Sequence, residues 1–87
     1  MSREDDIRHT LVLILERSMA LFLEFDRLHQ LLTENFIADA TETESRTELQ
    51  LLVDKGFVET REKYKLSNIP TYKLSADGLV ARRRREI

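Results

Sequence analysis

Four consecutive arginines, Arg82 to Arg85, stand near the end of this 87-residue chain, and Lys63, Lys65 and Lys73 precede them. Positive charge at that density attracts polyanions and acidic partners. The same arginines on a helix end would complement the negative pole of its dipole, worth about 0.3 to 1 kcal/mol. Both readings of the run stay open. The remaining reactive side chains form no such pattern. His9 and His29 are far apart, cysteine is absent, and the carboxylates recur without the spacing of a ligand set. No metal site is expected. No strand-turn-helix nucleophile motif frames a serine, and there is no glycine-rich phosphate loop. The chain is therefore read as neither an enzyme nor a cofactor carrier.

Charge is divided along the chain. Met1 to Lys55 holds twelve acidic and six basic residues (−6), and Gly56 to Ile87 holds four acidic and eight basic (+4), which together give the net −2. Salt screens attraction beyond about 8 Å, so a polyanion is expected to meet the C-terminal third. Hydrophobic residues at 41% and charged residues at 34% describe a globular chain and exclude a disordered one. The apolar run "LVLIL", Leu11 to Leu15, is too short to span a bilayer, and it follows Glu4, Asp5 and Asp6 where a secretory signal would be positive. A cytoplasmic protein that does not engage a membrane is expected.

These side chains need a scaffold, and apolar spacing supplies one. The carboxylates at Glu4 to Asp6 suit a helix start, which predicts a helix over about Asp5 to Arg17. Alternation near Ala20 to Leu23 permits a short strand, or else this first helix continues into the second. The second helix is predicted from about Glu24 to Asn35, with Phe25, Leu28 and Leu32 at helical spacing. Thr41 or Thr43 would cap a third helix over 42–55, with Leu49, Leu52 and Val53 inward and Gly56 as its left-handed stop. Two strands follow within 57–75, Phe57 to about Lys65 and Thr71 to Ser75. Ser67, Asn68 and Pro70 turn the chain between them. Ser75 can cap a last helix over 76–86. Phe22, Phe25 and Phe36 are assigned to the core, and Tyr64 and Tyr72 to the inner face of the ribbon. The chain is thus one domain over 1–87, mainly α with a small two-stranded antiparallel hairpin.

The run "ESRTELQLLVDKGFVE…YKLSADG" carries a resemblance, convincing from about Ser45 to Gly78. Leu49, Leu52, Gly56, Phe57 and Val58 hold the helix-to-strand positions, and Tyr72, Leu74, Ser75 and Gly78 hold the second strand and following cap. This pattern resembles the recognition helix and wing of MarR-like and PadR-like transcriptional regulators, members of the winged helix-turn-helix superfamily. The resemblance implies a regulator of transcription that binds double-stranded DNA, its third helix entering the major groove and its hairpin touching the backbone. By position, Thr43, Ser45, Arg46 and Thr47 would approach bases, and Lys63, Lys65 and Lys73 would contact phosphate. Arg82 and Arg83 would add attraction. Arg46 is the one residue whose donor fork suits the acceptor pair of guanine.

Two further features bear on partners. Ile7, Leu11, Val12, Leu13 and Leu15 make the first helix apolar around much of its circumference, more than one face can bury, so these five are assigned to a homodimer interface. The third helix carries Glu42, Glu44, Glu48 and Asp54 against Arg46 and Lys55. Glu42 and Glu44 are read as stabilising the helix start. Acidic helix and apolar first helix together also allow an alternative, a winged-helix module that docks on another protein and binds no DNA.

Overall fold

The computed structural model describes residues 2–18, 21–62 and 69–87. Helix α1 spans Arg3–Arg17, strand β1 Leu23–Glu24, helix α2 Phe25–Asn35 and helix α3 Glu42–Asp54. Strands β2, Val58–Glu62, and β3, Pro70–Leu74, precede helix α4, Ala76–Arg83. The molecule is mainly helical with a small antiparallel sheet.

Local chemistry explains each boundary. Ser2 accepts a hydrogen bond from the Asp5 amide, so α1 begins two residues before the position its carboxylates suggest. Thr41, not Thr43, caps α3. Its hydroxyl accepts from the Glu44 amide at 3.2 Å while the Glu44 carboxylate accepts from the Thr41 amide at 3.1 Å, a reciprocal capping box. Gly56 ends α3 at φ 79°, and the amides of Gly56 and Phe57 return to the carbonyls of Val53 and Leu52. Ser75 caps α4 through the Gly78 amide at 2.9 Å and donates its hydroxyl proton to the Gly56 carbonyl at 2.6 Å. One serine therefore ties the end of α3 to the start of α4.

The sheet has three strands, not the two expected, in the order β1-β3-β2. Leu23 pairs with Tyr72 and Glu24 with Thr71. A strand of two residues has no periodicity to detect, and β1 exists because β3 offers it a free edge. The alternative strand over Ala20 to Leu23 falls partly outside the described residues, at Ala20. Lys63 to Asn68, including Tyr64 and the turn residues Ser67 and Asn68, lie outside them as well. Pro70 opens β3 opposite Glu62, where its missing donor breaks no ladder with the short β1. Gly78 lies within α4, inside the helix expected over 76–86.

The core corrects the dimer assignment. Ile7, Leu11 and Val12 are fully buried and Leu15 is 1% exposed, all within one cluster with Leu28, Leu32, Leu49, Leu52 and Leu74. Helix α1 packs on α2, α3 and β3. Its apolar circumference is covered from several sides by its own chain, so these four residues offer nothing to a second subunit; Leu13 is half-buried. The phenylalanines divide. Phe25 is buried, Phe22 half-buried and Phe36 43% exposed, so Phe36 is not core.

Candidate nucleic-acid interface

Helix α3 has two polar faces that its net charge conceals. Glu44 and Glu48, one turn apart, point back at α1. Arg3 donates to both Glu44 oxygens, at 3.1 Å from Nη2 to Oε1, and also contacts Asp39. Arg8 donates to Glu48 Oε1 from Nε at 3.0 Å and from Nη2 at 2.8 Å, and reaches Asp5 at 3.1 Å. The hydrogen bond from Arg3, followed by that from the Thr41 amide, holds the Glu44 carboxyl down to about 2. Glu48 is 5% exposed, and Arg8 is what compensates its charge there.

The opposite face is open. Thr43, Arg46, Thr47 and Gln50 are exposed at helical spacing, with Glu42 at the start and Asp54 at the end. Thr47 donates its hydroxyl to the Thr43 carbonyl at 2.8 Å, and Gln50 donates to Asp54 at 2.8 Å. Arg46 lies over the Phe25 ring, its Cζ 3.9 Å from the centroid. A groove lined by Phe25, Arg46, Thr47, Gln50 and Tyr72 runs between α3, α2 and β3. Tyr72 is half-buried on the inner face of the sheet, opposite Thr60.

Ser45 belongs elsewhere. It is fully buried, and its hydroxyl is hydrogen-bonded to His29 Nδ1 at 2.7 Å. It sits four residues before Leu49, on the inward face of the helix, and cannot approach a base. On the ribbon, Lys63 and Lys65 lie outside the described residues. Lys73 is half-buried, its Nζ 5.5 Å from the Phe22 centroid, and Arg61 reaches the same ring at 4.8 Å. Arg82 turns to Glu16 of α1 at 3.5 Å, while Arg83 is exposed. The grooves around Arg46 are lined by α2, α3 and the first and third strands, without α4.

Three residues of this surface lie outside the set the sequence points to: Gln50, Arg61 and Phe25, the last beneath Arg46. Gln50 was detectable, seven residues from Thr43 and four from Arg46. Arg61 and Phe25 depend on contacts between elements. Among the described residues no group of three or more His, Cys, Asp or Glu is arranged to hold a metal, and no helix is long and apolar enough to cross a membrane. The chain matches no protein-family model and no curated protein.

Proposed function

We propose that this chain is a winged helix-turn-helix protein that binds double-stranded DNA and regulates transcription, with α3 as recognition helix and β2 and β3 as the wing. The observation that carries this reading is the division of α3. Its Glu44 and Glu48 are spent on Arg3 and Arg8, which leaves an outward face of Thr43, Arg46, Thr47 and Gln50. Two of the four carboxylates of α3 are thereby turned from the groove and paired with arginines. Arg46 can donate to a guanine and Gln50 to an adenine, while Thr43 and Thr47 suit either. Arg61 joins Lys63, Lys65 and Lys73 as the cations of the wing.

A homodimer on a roughly palindromic site, with half-sites about one helical turn apart, fits this reading. Its contact must avoid the buried face of α1. Exposed apolar side chains at Leu21, Phe36, Ile69 and Val80 are the available material.

Fluorescence anisotropy with a mixed-sequence duplex across a salt series is the direct test. Affinity should fall with salt at a slope that counts the phosphates neutralised. Absence of binding to any duplex at low salt would remove the proposal. The alternative, a module that docks on protein, loses both grounds the sequence offers, since Glu44 and Glu48 are paired and α1 is covered. What remains in its favour is exposed Phe36 beside Ile14 and Leu31. Charge reversal at Glu44 and Glu48 would not probe such docking, because it breaks the ion pairs to α1.

A further inference from the structure

We infer that Phe25 is a positioning residue for guanine recognition, holding the Arg46 guanidinium flat so that its in-plane donors meet the O6 and N7 acceptors of a guanine in the major groove. The inference rests on the proposed DNA-binding reading and deepens it.

Three layers make the device. The Arg46 guanidinium covers the Phe25 ring at 3.9 Å from its centroid. Phe25 in turn stacks on His29, with centroids 5.8 Å apart and planes 8° from parallel. His29 is anchored by its 2.7 Å hydrogen bond to Ser45. Phe25 and His29 stand one turn apart on α2, and Ser45 and Arg46 are consecutive on α3. The inner layer is thus gripped by the residue next to the one that forms the outer layer, and the column sets both the contact between the helices and the plane of the guanidinium. Phe25 is 5% exposed, so the platform is fixed by the core beneath it.

The chemistry follows from the shape of arginine. A guanidinium stacked on a ring uses its face, which leaves its N–H donors in plane for a bidentate acceptor. A free arginine gives up rotamer freedom on binding. A guanidinium held by cation–π contact has surrendered part of it beforehand. Phe25 and Arg46 line one groove together with Thr47, Gln50, Asp54 and Tyr72.

The experiment begins with a duplex enriched from a randomised pool by the full wild-type chain. Each guanine is then replaced by 7-deazaguanine, which lacks the N7 acceptor, and affinity is read by anisotropy. One guanine per half-site should lose about tenfold or more for the wild type. Phe25→Leu keeps apolar volume but removes the ring face. It should reduce that loss to about twofold, matching Arg46→Ala, whereas Phe25→Tyr should restore it. A folded Phe25→Leu with full discrimination, or a folded Phe25→Tyr without it, would overturn the inference. Should Phe25→Leu fail to fold, NMR of the wild type decides. Arg46 Cδ and Nε protons should be shifted upfield by the ring current, and random-coil positions would refute the stack. Duplex binding with no guanine dependence would sink this inference and leave the DNA reading standing. Loss of all duplex binding removes both.

Discussion

Ser45 and Arg46 are neighbours with opposite fates, and one hundred degrees of helical rotation is the reason. Ser45 falls on the row of Leu49 and Leu52 and is sealed against His29, while Arg46 falls on the row of Gln50 and reaches solvent. Arg46→Ala should therefore weaken a preferred duplex more than a random one, and Lys63→Ala or Lys65→Ala should weaken both alike, as competitive anisotropy would show. Two backbone positions give sharper predictions. Arg85 adopts φ 60° where α4 ends, and the amides of Arg85 and Glu86 return to Arg82 and Ala81. This is the terminus that Gly56 provides for α3, built without glycine. The left-handed region costs a side-chain-bearing residue about 1 to 2 kcal/mol, partly offset in a glycine variant by chain entropy. Arg85→Gly should stabilise by about 0.5 to 1 kcal/mol and raise Tm by about 2 to 8 °C. Gly78 serves closeness instead of bending. A Cβ there would stand 2.1 Å from the Phe57 carbonyl oxygen, a backbone atom already bonded to the Ser75 amide. Gly78→Ala should cost about 1 to 3 kcal/mol, read as a lower denaturant midpoint.

Among the elements, α3 depends most on its neighbours. Its first turn combines the capping box at Thr41 and Glu44 with the Arg3 contact, so one carboxylate serves helix start and helix packing together. Glu44 titrates at about 2 when folded against an ordinary 4.5, and the unfolded chain therefore binds more protons between those values. The stabilisation is complete above pH 4.5 and is lost as pH falls toward 2. Acid titration followed by circular dichroism should show this decline, and Glu44→Gln should flatten it. A variant with an unchanged acid limb would show that the Arg3 contact is not what holds the proton off. Glu48, unlike Glu44, is buried. Arg8→Ala leaves its charge without compensation and should cost toward the lower end of the about 3 to 5 kcal/mol typical of a broken buried pair, since Arg8 is partly open to water. Arg8→Ala with Glu48→Leu should recover much of that loss.

For the whole molecule, the decisive fact is where α1 lies. Surrounded by α2, α3 and β3, it is the central member of the core. Leu11→Ala should cost about 2 to 5 kcal/mol. That loss should be the same across a wide range of protein concentration, because the contact is within one chain. A concentration-dependent penalty would return α1 to a subunit interface. Most of the helical framework was legible beforehand. Thr41, Gly56 and Ser75 are capping residues whose role is local, and the leucine rows of α2 and α3 need only the helical repeat. The candidate site was legible only in part: Arg46, Thr43 and Thr47 stand on the open face, while Ser45 was misassigned and Gln50 overlooked.

Sequence alone determined what depends on residues a few positions apart: the starts and stops of helices, the apolar rows and the spacing of polar side chains on α3. Tertiary structure alone decided the third strand, the burial of α1 on several sides, the pairing of Glu44 and Glu48 with Arg3 and Arg8, and the platform of Phe25 under Arg46. The strand pairing, the ion pairs and the platform join groups about twenty to fifty positions apart in sequence. No local pattern encodes such a meeting, because a side chain's charge and shape say what it needs but not which distant neighbour the packed chain will supply.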